Sequence, residues 1–134
     1  MLSKKQLLAA ARKKYMDPQQ LAWFEQLLLE EKRETQADIE RQRQWLANPP
    51  EFNDEADRAQ YEDESRVVLR LMDRQRKLLP KIDEALRRIR NGSYGYCLET
   101  GEPIGIERLL IRPTAEFCAD VKNTNEAKEK FYAK

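Results

Sequence analysis

Two long helical patterns split by a proline break constrain this chain more than any other feature. From about Arg58 to Asn91, the residues Val68, Leu71, Gln75, Leu78, Ile82, Leu86 and Ile89 recur at spacings of three and four, as a coiled-coil seam requires. Upstream, Pro18 to about Ala47 carries a matching stripe of Leu21, Phe24, Leu28 and Ile39, thinner in its second half where Arg41, Gln42 and Arg43 crowd. Asn48-Pro49-Pro50 must end that first helix, because proline lacks an amide proton and restricts the residue before it. At roughly 1.5 Å per residue the helices reach about 45 and 50 Å. About ten residues join them, so the expected arrangement is an antiparallel hairpin. Pro80 lies inside the second pattern, where it predicts a kink near Arg76–Pro80.

Composition agrees with a mainly helical fold: 37% of the 134 residues are charged and only 4 are glycine. The pattern divides the chain into an N-terminal helical segment at 1–16, a coiled-coil hairpin at 17–92 and a small region at 93–134. In the first, Ser3 and Gln6 have capping-box spacing, as do Asp17 and Gln20 ahead of the long helix. Gly92 is placed to close the second helix in a left-handed conformation. The last region turns through Gly101-Glu102-Pro103 and continues with Ile104–Ile111. A final helix is expected from about Thr114 to Phe131.

Several chemistries are excluded at once. The chain has no histidine, which removes Ser-His-Asp triads, Cys-His dyads and Cys/His zinc sites. No apolar run approaches the roughly 20 residues that span a bilayer, and a cytoplasmic chain without membrane contact is expected. A net charge of +1 conceals segregation, from 25 basic and 24 acidic residues. Residues 51–65 hold seven acids against Arg58, and residues 66–90 hold nine bases against Asp73, Asp83 and Glu84. The expected hairpin therefore has an acidic end, at about 49–59, on a basic stem.

Four groups of residues are candidates for function. Asp54 and Asp57 at the hairpin end can reach cations or donors on a partner; the plainer alternative is first-turn acids offsetting the helix dipole, with Asp57 as N-cap. Arg66, Arg70, Arg74, Lys77, Lys81 and Arg88 run along the second helix, as a phosphate-binding stripe or a solvated flank. Arg112-Pro113-Thr114 and Lys122 surround the expected start of the last helix, where free amides favour an anion. Cys97, Thr100, Cys118 and Val121 stand where C-x2-C-x17-C-x2-C would place four thiolates. With valine lacking a donor atom, the set falls short of a zinc site. Two buried cysteines with a Tyr96/Phe117 apolar staple are expected instead, and a Cys97–Cys118 disulfide is disfavoured in a reducing compartment.

Taken together, these residues resemble the DksA/TraR family of bacterial transcription regulators. The resemblance runs from about Asp17 to Phe131. It rests on Asp54-x-x-Asp57-Arg58-Ala59, on Asp73-Arg74-Gln75-Arg76-Lys77-Leu78 and on the run from Tyr94-Gly95-Tyr96-Cys97 through Arg112-Pro113-Thr114-Ala115 to Cys118. Within the family it is most similar to the short two-cysteine members that dispense with zinc.

The resemblance implies a non-enzymatic, monomeric regulator that binds RNA polymerase rather than specific DNA. Its hairpin would enter the secondary channel and, with ppGpp, alter open-complex stability at ribosomal RNA and stress-responsive promoters in the stringent response. Position by position it implies Asp54, Asp57 and Ala59 as tip residues and Arg70, Arg74 and Arg108 as polymerase contacts. Leu78, Lys81, Arg112 and Lys122 would be the ppGpp site. No cofactor is expected, and the degenerate finger should need no metal. The alternative is a Gre-like transcript-cleavage factor lending tip carboxylates to a polymerase magnesium ion.

Overall fold

A computed structural model describes residues 2–11 and 14–118. Its helices, in chain order, are α1 (Lys4–Ala11), α2 (Pro18–Ala47), α3 (Glu55–Asn91) and α4 (Ile106–Ile111). Among the described residues there is no strand, only an isolated antiparallel bridge between Tyr96 and Pro103. No described helix is long and apolar enough to cross a membrane. The fold class is the expected one, mainly α with a long hairpin and a small helical region.

Local chemistry sets the helix starts. Ser3 and Gln6 form a reciprocal capping box on α1: the Gln6 amide donates to Ser3 Oγ at 3.2 Å, and the Ser3 amide donates to Gln6 Oε1 at 3.0 Å. On α2, Asp17 caps as expected, accepting the Gln20 amide proton at 2.9 Å. Gln20 does not complete the box. Its buried side chain instead accepts from the Met16 amide at 2.8 Å and donates to the Lys14 carbonyl, stitching the turn between α1 and α2. At α3 the cap is Asp54, whose Oδ1 accepts the Asp57 amide proton at 2.8 Å. This corrects the expectation for Asp57, because the helix begins three residues earlier than the periodicity suggested. Gly92, at φ +84°, closes α3, and the Ser93 amide donates to the Arg88 carbonyl at 3.0 Å in a Schellman arrangement. The helix passes through Pro80 as one element.

The chain forms two compact units, one from residues up to Leu28 with those from Glu84 onward, the other from Leu29 to Asp83. The first has a proper core. Leu7, Phe24, Leu28, Ala85, Tyr94 and Leu109 are buried in it, together with Met16, Ile104 and Ile106. Phe24 lies against Tyr94 with ring centroids 5.5 Å apart, and the Tyr94 hydroxyl donates to the Pro113 carbonyl at 2.7 Å.

The second unit is a two-helix hairpin with little interior. Its ends are tied by Lys32 Nζ on Asp83 at 2.8 Å and by Trp45 against Tyr61, with centroids 4.9 Å apart, which makes the helices antiparallel. Only Thr35, Met72 and Ile82 are fully buried there. The seam takes Met72, 3% exposed, in place of the expected Leu71, which is 40% exposed. From Val68 a straight 3.6-residue helix reaches its partner again four residues on, not three. Two seam glutamines, Gln42 and Gln75, bury side-chain oxygens without a hydrogen-bond partner among the described residues.

Candidate functional site: an acidic tip, a basic stem and a degenerate finger

The tip is built by capping and by aromatic packing. Residues 48–54 connect α2 to α3, and Asp54, Asp57 and Ala59 are exposed at the start of α3. Asp54 uses one carboxylate oxygen to cap the helix, so it is held in place, while Asp57 lies one turn into the helix. Both carboxylates profit from the positive helix end. Phe52 stacks on Tyr61 at 5.3 Å, Tyr61 on Trp45 at 4.9 Å, and the Arg58 guanidinium lies 5.9 Å from the Phe52 ring centre. This three-ring staple fixes the loop where the hairpin has no core to do so. Sequence reasoning missed it, although aromatics on both sides of the Pro49-Pro50 turn were an available signal.

The stem is less uniform than its sequence. Five arginines of α2 and α3 hold a carboxylate three residues earlier: Arg33 on Glu30, Arg41 on Asp38, Arg43 on Glu40, Arg66 on Asp63 and Arg87 on Glu84. Lys77 pairs with Asp73 four residues back. Arg88 does not belong to a solvated stripe: it is 4% exposed, 3.6 Å from Glu116, and its Nη2 has no hydrogen-bond partner among the described residues. Arg70, Arg74 and Lys81 are exposed and form no ion pair among the described residues.

The degenerate finger keeps a finger's backbone. The Cys97 amide donates to the Glu102 carbonyl at 2.8 Å and the Gly101 amide to the Cys97 carbonyl at 2.9 Å, closing a tight turn over Cys97–Thr100. Burial pushes the Cys97 thiol up. Hydrogen bonds from the Thr100 hydroxyl and from the backbone amides of Cys118, Thr100 and Glu99 outweigh it and bring the thiol down to about 6. Thus Thr100 works as a donor to the sulfur rather than as a missing ligand. The two cysteines are not joined, and Val121 lies outside the described residues.

The staple around this turn differs from the expected Tyr96/Phe117 pair. Tyr96 meets Tyr15 edge-to-face at 5.5 Å. The Tyr15 hydroxyl donates to the Gly95 carbonyl at 2.7 Å and accepts from the Gly105 amide at 3.0 Å. Burial holds the Tyr15 phenol above its ordinary range, so it remains a donor at neutral pH. Phe117 contributes its carbonyl instead, accepting from Arg108 Nε at 3.1 Å. Arg108 is half-buried and lines, with Leu8, Tyr15 and Ile104, an open groove of about 630 Å³.

Two further expectations change. Arg112 does not introduce the last helix but ends α4, its amide bonded to the Arg108 carbonyl at 2.8 Å, and residues 113–118 are turn and irregular chain. An anion site at a helix start at Thr114 is therefore absent. The rest of the expected final helix, with Lys122, lies outside the described residues. Leu78 and Lys81 belong to the hairpin unit, half-buried and exposed respectively, and Arg112 to the other unit, where it is exposed.

Comparison with known proteins agrees with this architecture. Residues 20–89 match the model for the N-terminal domain of the DnaK suppressor protein DksA, and residues 92–127 match the prokaryotic dksA/traR C4-type zinc finger. The RNA polymerase-binding transcription factor DksA of Caulobacter vibrioides is 45% identical over 118 residues, which cover 88% of this chain and 78% of that one. Its namesake in Escherichia coli K12 is 38% identical over 117 residues, 87% of this chain and 78% of that one. The structure of transcription factor DksA2 from Pseudomonas aeruginosa superposes with a TM-score of 0.76 at 46% identity, covering 96% of this chain and 99% of that one. With hairpin, tip and finger turn all accounted for by these matches, the chain belongs to the DksA/TraR family.

Proposed function

We propose that this chain is a non-catalytic transcription regulator that binds RNA polymerase. It would act through the secondary channel, with the hairpin tip altering open-complex stability at ribosomal RNA and stress-responsive promoters. The observation that carries this is the tip itself: exposed Asp54 and Asp57 on a two-helix hairpin, held by a cap and three stacked rings. Relatives named as RNA polymerase-binding transcription factors support the choice of partner. In vitro transcription at a ribosomal-RNA-type promoter tests it. The unmodified protein should change initiation, and Asp57→Asn should remove most of the effect. Asp54→Asn neutralises the charge while keeping a good cap, so its loss of effect would not reflect unfolding. No polymerase binding and no change in initiation would refute the reading.

The same reading includes ppGpp as effector, bound jointly with polymerase through Leu78, Lys81, Arg112 and Lys122, whose lysine and arginine heads suit a phosphate ligand. Lys81→Ala should abolish the ppGpp-dependent part of the response and leave the rest. The finger is read as zinc-independent, a reading supported by the hydrogen bonds that Thr100 and nearby backbone amides direct at the Cys97 sulfur. A chelator should leave the circular dichroism spectrum unchanged. Release of short 3′ RNA fragments from backtracked complexes would instead support a cleavage factor. The use of one Asp54 oxygen in capping speaks against that role.

A further inference from the structure

Between Glu51 and Ser65 the tip segment carries seven acids and a single base, Arg58. Where that one positive charge rests decides how much negative charge the tip shows to a partner. Helical spacing offers it two carboxylates, Glu55 three residues earlier and Asp54 four residues earlier. In both the acid lies on the N-terminal side, the favourable order. Further along the same helix, Arg66 holds Asp63 at the first of these spacings.

Arg58 takes neither. It forms no ion pair among the described residues, and its guanidinium lies 5.9 Å from the centre of the Phe52 ring. That ring is itself pinned: it packs on Tyr61 with centroids 5.3 Å apart, and Tyr61 packs on Trp45. Tyr61 follows Arg58 by three residues on α3, so the helix carries both neighbours of the ring on one side. A ring face attracts a cation without neutralising any acid. Asp54, Glu55 and Asp57 are thus exposed and have no cation paired to them among the described residues.

We propose that Phe52 is a positioning residue of the tip: its ring diverts Arg58 from Asp54 and Glu55, so that the tip keeps its full negative charge. The proposal rests on the functional reading above and adds the residue that sets the charge the tip carries. Holding the loop in place does not by itself call for an aromatic here. Any apolar side chain packed on Tyr61 would serve that end, whereas only an aromatic face also attracts a guanidinium.

The experiment uses the full chain and two readouts: affinity for core RNA polymerase, and the change in initiation at a ribosomal-RNA-type promoter at saturating protein. The variants are Phe52→Leu, Phe52→Tyr, Arg58→Gln and the double variant Phe52→Leu/Arg58→Gln. Leucine retains apolar packing on Tyr61, and unchanged thermal unfolding by circular dichroism verifies the fold. Phe52→Leu should shrink the effect on initiation by about fivefold with affinity unchanged, because Arg58 is released onto Asp54 or Glu55. Phe52→Tyr keeps the ring face and should keep the effect. With Arg58 already replaced, the Phe52→Leu change should make less than about a twofold difference, the mark of two residues acting through one interaction. In NMR spectra of the free protein, the Arg58 side-chain protons should carry a ring-current shift that Phe52→Leu removes.

An unchanged effect for Phe52→Leu, an equal loss with and without Arg58, or no ring-current shift on Arg58 would overturn the proposal. A loss of affinity in Phe52→Leu would make the ring a contact in its own right, and overturn it equally. Loss of the effect in Arg58→Gln alone would show that the cation itself acts on the polymerase, with the same consequence. Each of these leaves the functional reading standing, whereas failure of the unmodified protein to alter initiation would remove both.

Discussion

Removing one oxygen atom from Tyr15 should loosen the finger-bearing unit by about 2 kcal/mol. The Tyr15→Phe substitution keeps the edge-to-face contact with Tyr96 and deletes two hydrogen bonds, one to the Gly95 carbonyl and one from the Gly105 amide. Each is worth about 1 kcal/mol net, and somewhat more where the abandoned partner stays shielded from water. The Gly95 carbonyl keeps a second donor, the Ile104 amide at 2.8 Å, so the Gly105 amide bears most of the loss. Trp23, packed on Phe24 in the same unit with centroids 5.1 Å apart, reports the transition once Trp45 is replaced by phenylalanine. With a urea dependence of about 2 kcal/mol per M, the midpoint should fall by about 1 M. Tyr15→Leu should fall further, by about another 1 kcal/mol, as the ring pair is lost. A Tyr15→Phe midpoint within about 0.2 M of the unmodified protein would refute the reasoning that this hydroxyl ties 15, 95 and 105 together.

Other substitutions probe the remaining devices. Gly95→Ala should cost about 2–3 kcal/mol, because φ is +89° and a Cβ there would lie 2.9 Å from Met16 Cγ; equilibrium urea unfolding reads it. The Cys97 thiol is held at about 6 against an ordinary 9.0, so the folded state binds this proton less tightly than the unfolded chain. Its contribution is present above pH 9 and is lost as the pH falls to 6 and below. A Cys97→Ser variant should lack that part of the pH–stability profile. Gln75→Leu should stabilise the hairpin unit by about 1–2 kcal/mol, because it removes a buried unpaired oxygen from the seam; slower hydrogen exchange in α3 would show it, and faster exchange would contradict it.

Much of the hairpin was legible because it is local chemistry repeated. The capping of α1 by Ser3, of α2 by Asp17, and the Gly92 stop are decided within four residues of chain, and hydrogen bonds of that reach are written in the sequence. The family motifs were likewise contiguous. Errors began where one residue chose between neighbours on a helix. Leu71 and Met72 are both apolar and both near the seam, and only the phase of the partner helix decides that Met72 goes inside. The same phase leaves Leu71 and Val67 outside beside two arginines. Arg88 looked like one more stem cation until the core of the first unit closed over it and supplied Glu116, 28 residues further along.

The sequence by itself determined the helices, the proline break, the acidic tip on a basic stem and the absence of a four-thiolate site. These follow from periodicity, capping and composition, which act over a few residues. Only the tertiary structure decided which groups hold the finger turn. The Tyr15 hydroxyl spans 80 residues to Gly95 and 90 to Gly105, and Thr100 turns from a lost ligand into a donor for the Cys97 sulfur. The physical reason is range. A hydrogen bond is satisfied by whatever group folding brings within about 3 Å, and separation along the chain carries no information about that distance.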